Sequence, residues 1–223
     1  MRKMFESFKQ IKIKEYITFL IYFLAIFAGV FAFDQITKYV AEVCLQKGDV
    51  VVFIPHFIEF TLVYNKGAAW GMGDGAIWSR VLLAIMSWAV MFFIIGYVIY
   101  LFIKHKKINT FFGVTLALIL AGDVGNLIDR TFFFDRGVID FISIQSRFKG
   151  FGVFNIADSA LVVGVFCLLI YFIIEEVQEQ KRQKRENEKK LAEAKALDAK
   201  DKAIESTKAE EIKVAKEETN NEK

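Results

Sequence analysis

Four stretches of this chain are apolar for long enough to cross a lipid bilayer, and that constrains its fold more than any other feature. A helix needs about 20 mostly apolar residues to do so, since each advances about 1.5 Å across a hydrocarbon core of about 30 Å. Residues 16–33 (YITFLIYFLAIFAGVFAF), 76–103, 108–128 and 154–174 qualify, the third carrying Asp123 and Asn126 near one end. With 55% hydrophobic residues, 24 Phe, a single Pro and a mean hydropathy of +0.37, the chain is too apolar for an ordinary soluble domain. The expectation is an all-α membrane protein of four transmembrane helices.

Lys and Arg gather on the cytoplasmic side of membrane proteins. The segment ahead of the first run (Arg2, Lys3, Lys9, Lys12, Lys14), the KHKK link at 104–107 and KRQKR at 181–185 are all basic, and four spans put them on one side. Both termini are then cytoplasmic, and the loops 34–75 and 129–153 extracytoplasmic. No small-residue cleavage site follows the first run, so it reads as an uncleaved anchor rather than a secretory signal. The chain divides into a cytoplasmic segment 1–15, a membrane domain 16–174 and a charged tail 175–223, helical or disordered, with too few large apolar residues to fold alone. The first basic cluster of the tail suits anionic headgroups. The charge pattern implies no nucleic-acid partner.

Between the first two runs, VVFIPHFIEFTLVY is β-branched and aromatic, which predicts a small extracytoplasmic sheet near the headgroups. Residues 37–47, TKYVAEVCLQK, read as a short amphipathic surface helix. The loop 64–75 is rich in Gly and Ala, so a backbone or ligand can approach it closely.

Cys44 and Cys167 have no metal-ligand spacing and are not placed to form a bridge, and His56 and His105 are too few for a Ser-His or zinc-histidine site. Hydrolytic chemistry must therefore use carboxylates. The acids predicted at the outer boundary are Asp34, Asp123, Asp129, Asp140 and Asp158. Some have plainer readings. Asp34 with Lys38 is an i,i+4 helix pair, Asp129 with Arg130 an interfacial charge pair, and Asn155 with Asp158 a capping box. Asp140, however, sits between Val138, Ile139, Phe141 and Ile142, where a charge is costly. Asp34 and Lys38, Asn65, Asn126 with Asp129 and Arg130, and the start of the fourth span all meet one face. Two carboxylates brought close there share a proton, giving an acid and a base. A small proton-coupled transporter or a structural membrane subunit could also place acids in spans.

Five blocks in order, DQITK (34–38), NKGAAWG (65–71), GNLIDR (125–130), VIDF (138–141) and FNIADS (154–159), resemble the bacterial lipoprotein signal peptidases, also called signal peptidase II. These are membrane aspartic endopeptidases. The resemblance implies Asp140 and Asp158 as the catalytic pair and Asn155 as the residue orienting it. It implies supporting or substrate-contacting roles for Asp34, Lys38, Asn65, Gly67, Asn126, Asp129 and Arg130, with Arg130 a donor to substrate carbonyls. It further implies diacylglyceryl-prolipoprotein substrates cut before the lipidated cysteine and inhibition by globomycin. No motif suggests a cofactor or a metal. The expected setting is a monomer amid membrane lipid in the bacterial cytoplasmic (inner) membrane, with the site facing outward. The sequence departs from the family pattern at TFFFDRG (131–137), a longer link than usual, and in 143–152, so Asp135, Arg136, Arg147 and Lys149 take no role from it.

Overall fold

The computed structural model describes residues 2–67, 76–104 and 109–221, with side chains over 13–67, 76–104 and 109–195. The small-residue loop beyond Gly67 and the core of the KHKK link lie outside the described residues. Helix α1 (Arg2–Cys44) is followed by strands β1 (Val51–Ile54) and β2 (Ile58–Asn65), helices α2 (Ile77–Ile103) and α3 (Thr110–Phe132), strand β3 (Val138–Ser143) and helix α4 (Ile156–Asn221). The chain forms two units, Met1–Tyr171 and Phe172–Lys223.

In the first unit α3 is the central helix. Two thirds (67%) of its most apolar window is buried, against 11 to 17% for the other three membrane-length helices, whose exposed apolar side chains suit contact with lipid. Phe19 and Phe23 of α1, Ile94 and Val98 of α2, and Leu116, Ala117, Ile119 and Leu120 of α3 form one core. Small residues let the backbones close up where the polar residues begin. A Cβ on Gly125 would stand 2.8 Å from Asp34 Oδ2 and 3.0 Å from Ala157 Cβ, so only glycine admits α1 and α4 to α3 at this level.

The three strands form an antiparallel sheet in the order β1-β2-β3. Pro55 and His56 turn the β1–β2 hairpin, His56 adopting φ 59°, and Phe57 N–H closes onto Ile54 O at 3.0 Å. The third strand is VIDF, beyond the stretch from which a sheet was expected. It pairs Asn65 with Val138 and Val63 with Asp140. Gly137 precedes it at φ +86°, where a Cβ would lie 2.6 Å from Asn65 O, so the start of β3 also requires glycine.

One expectation is corrected. Residues 37–44 are the last turns of α1, not a separate surface helix. No breaker interrupts α1 here, and Ala41 is buried against Leu62, Ile139 and Phe141, so the sheet rests on this end of the helix.

In the second unit the tail is helical, with exposed i,i+3 and i,i+4 pairs of Arg182 with Glu179 and Glu186 at 3.7 and 3.6 Å. Such solvated pairs stabilise little.

Candidate active site

Asp158 stands in the first turn of α4, and Asn155 caps that helix. Asn155 Oδ1 accepts the Asp158 N–H at 2.8 Å while the Asn155 N–H donates to Asp158 Oδ2 at 3.2 Å. The capping box is therefore real, and it is also what aims the carboxyl. The Nδ2 of the same asparagine, which is fully buried, reaches Asp140 Oδ1 at 2.7 Å, Asn126 Oδ1 at 3.1 Å and Ile139 O at 3.2 Å.

Asp140, on the middle of the sheet's third strand, is 1% exposed. Its Oδ2 accepts Asn65 Nδ2 at 2.9 Å, and Asn65 Oδ1 in turn accepts the Gly67 N–H at 2.9 Å. Asn126 Nδ2 donates to Asp158 Oδ1 at 2.8 Å. Every oxygen of the two carboxyls thus accepts an N–H, which fixes both side chains. Burial, and after it the charge of Asp158, pushes the Asp140 carboxyl up to about 7, against the opposing pull of Asn65, Lys38 and Asn155.

Behind the pair lies a buried ion cluster. Lys38 Nζ is 2.9 Å from Asp34 Oδ2 and 2.9 Å from Asp129 Oδ2, and it donates to Gly125 O at 3.1 Å and Asn126 Oδ1 at 3.0 Å. Asp34 Oδ1 accepts the Ala157 N–H at 2.8 Å, tying α1 to the start of α4. The Asp34–Lys38 contact is an i,i+4 pair, yet at 0% and 3% side-chain exposure it is no surface decoration.

A cavity of about 520 Å³ opens beside the acids. Asp140, Asp158, Asn65 and Arg130 supply its polar lining, and Ile144, Phe151, Phe154, Leu161 and Val162 are among the apolar side chains of its wall. All ten positions that the resemblance named lie in this one assembly: Asp140 and Asp158 facing the cavity, Asn65, Asn126 and Asn155 holding them, Gly67 holding Asn65, Asp34, Lys38 and Asp129 behind, and Arg130 at the cavity edge with Nη1 3.5 Å from Ser87 Oγ. Asp123, the other acid expected at this boundary, is buried on α3 and is not part of the cavity lining.

Sequence reasoning passed over two members of the cluster. Arg136 donates from Nη2 to Asp129 Oδ1 at 2.7 Å and from Nη1 to both oxygens of Glu42 at 3.0 Å. Glu42 was findable, because it follows Asp34 and Lys38 at four-residue spacing on one face of α1. Arg136 was not, since its contacts depend on how the link after α3 folds back.

Among the described residues, four helices are long and apolar enough to cross a membrane, which defines a multi-pass membrane protein, and its two buried carboxyls line one apolar cavity. Residues 26–174 match the model of the family Signal peptidase (SPase) II. The lipoprotein signal peptidase of Listeria monocytogenes serotype 4b is 34% identical over 70% of this chain and 95% of its own, and that of Enterococcus faecalis 37% identical over 70% and 90%. A bacterial membrane enzyme solved by the in meso method at 2.3 Å resolution superposes with a TM-score of 0.59 at 34% identity, covering 69% of this chain and 88% of that one. A second such structure, at 1.9 Å, gives 0.56 at 35%, covering 67% and 91%. The chain belongs to the signal peptidase II family and is a protease.

Proposed function

We propose that the protein is an aspartic endopeptidase that removes the signal peptide from diacylglyceryl-modified prolipoproteins, cutting immediately before the lipidated cysteine. The observation that carries this reading is the placement of Asp140 and Asp158 on one cavity, linked through Asn155 and held oxygen by oxygen by amide donors. The pair shares one proton at neutral pH; we assign it to Asp140 and the charge to Asp158, which sits where a helix N-terminus suits a carboxylate.

Asp158 takes a proton from a water as its oxygen attacks the scissile carbonyl carbon, while Asp140 gives its proton to the carbonyl oxygen. The tetrahedral diol collapses as Asp158 passes its proton to the leaving nitrogen, the C–N bond breaks, and a diol proton returns to Asp140. Two peptides result, with no covalent intermediate. Arg130 donates to substrate backbone carbonyls, and Asn155, Asn65 and Asn126 keep the acids aligned. The apolar wall of Phe151, Phe154, Leu161 and Val162 suits the acyl chains of the modified cysteine. The basic flanks support a site on the extracytoplasmic face of the bacterial inner membrane, and globomycin is an expected inhibitor.

The test is cleavage of a diacylglyceryl-modified prolipoprotein peptide by the purified protein in lipid-supplemented detergent, with product masses read directly. A single cut before the modified cysteine, and none in the unlipidated peptide, is expected. Equal cutting of both would refute the substrate assignment.

A further inference from the structure

The link that departs from the family pattern ends in Asp135, Arg136 and Gly137, and Arg136 returns from it to the buried ion cluster. Its guanidinium lies 4.1 Å from the centroid of the Phe133 ring, which holds the side chain flat while its two ends address different helices. Nη2 meets Asp129 of α3 at 2.7 Å and Nη1 grips Glu42 of α1 at 3.0 Å through both oxygens. Tyr64 of β2 donates its hydroxyl to the same Glu42 at 3.2 Å.

Charge shows why this matters. Without Arg136 the group holds the acids Asp34, Asp129 and Glu42 against the single cation Lys38. Asp129 is 2% exposed and uses one oxygen for Lys38 and the other for Arg136, so loss of the guanidinium strands a buried carboxylate oxygen. Asp129 can then recover only by drawing Lys38 away from its other acceptors. One of those is Asn126 Oδ1, and the Nδ2 of Asn126 holds Asp158.

We propose that Arg136 is a positioning residue for the cleavage reaction, acting on Asp158 through Asp129, Lys38 and Asn126. It touches no substrate, and its effect falls on the alignment of the base rather than on binding. The inference rests on the peptidase reading above.

The experiment compares wild type, Arg136→Met, Arg136→Lys and Asp158→Asn on the diacylglyceryl-modified peptide, with kcat and KM normalised to folded enzyme. Arg136→Met is expected to lose about tenfold or more in kcat with KM within about twofold of wild type, because small misplacements of a catalytic group act on the chemical step. Arg136→Lys, which keeps the charge but cannot span both acids, is expected to lose about threefold in kcat. Wild-type kcat in Arg136→Met, or a loss carried by KM, would overturn the proposal. Should Arg136→Met fail to fold, Arg136→Lys decides alone, and wild-type kcat there overturns it. An inactive wild type or an active Asp158→Asn would instead sink the peptidase reading.

Discussion

Asn155 Nδ2 lies 2.7 Å from Asp140 Oδ1 while the backbone N–H and Oδ1 of the same residue engage Asp158. One asparagine thus performs two tasks: it starts α4 and sets the spacing and orientation of two acids that come from different elements, a strand and a helix. Its replacement should therefore disturb folding and chemistry together.

For Asn155→Ala, the lost cap and the orphaned carboxyl oxygen predict a destabilisation of at least about 1 kcal/mol. The misaligned acids predict a kcat lower by about 100-fold. Thermal melting and steady-state cleavage in one detergent preparation check both. A variant that melts lower but cuts normally would leave Asn155 a helix cap only.

Burial first, and the Asp158 charge second, push the Asp140 carboxyl up to about 7. If the protonated Asp140 is the acid, kcat/KM falls about tenfold per pH unit above that value. The same shift has a stability sign. The folded state holds this proton more tightly than the unfolded chain, so the contribution of Asp140 favours folding as pH drops from about 7 toward the unfolded carboxyl value of about 4, and opposes it above 7. A pH–rate profile flat to pH 9 would exclude Asp140 as the acid.

Asp34 is completely buried, pairs with Lys38 at 2.9 Å and accepts the Ala157 N–H at 2.8 Å. Asp34→Ala leaves a buried ammonium short of one counter-ion and frees a helix-end donor, which predicts a loss of about 3–5 kcal/mol. Asp34→Asn, keeping an acceptor, should lose less. Equal melting temperatures for wild type and Asp34→Ala would contradict the cluster's structural role.

At Gly137, φ +86° and the 2.6 Å approach a Cβ would make to Asn65 O both oppose any side chain. Gly137→Ala should loosen the β2–β3 pairing at Asn65, the donor to Asp140 Oδ2, at a cost of about 1–3 kcal/mol, and reduce cleavage with it. Measured stability and kcat should fall in step, and a neutral substitution would show that the site tolerates movement of Asn65.

The membrane spans were readable from the sequence because hydrocarbon demands long apolar runs. That the polar residues at their ends would gather into one cluster was readable because such groups are costly there without partners. Asp140 announced itself among Val138, Ile139, Phe141 and Ile142. That VIDF is a strand paired with β2 was not readable, since its partner lies over 70 residues away in sequence and a run that short carries no decisive periodicity. The apparent surface helix at 37–47 misled because its exposed Tyr39, Val40 and Val43 look interfacial while buried Lys38 looks solvated. Only the packed fold shows that Lys38 faces inward to two carboxylates. Arg136 stayed hidden for the same reason: a cation in a loop declares no partner until the loop is folded.

Whether Asp140 and Asp158 act as one proton-sharing pair is decided by Asp140→Asn and Asp158→Asn, each assayed on the diacylglyceryl-modified peptide after folding is confirmed by melting. Near-complete loss of cleavage is expected in both single variants at wild-type levels of folded protein. Substantial cleavage surviving in either one would contradict it.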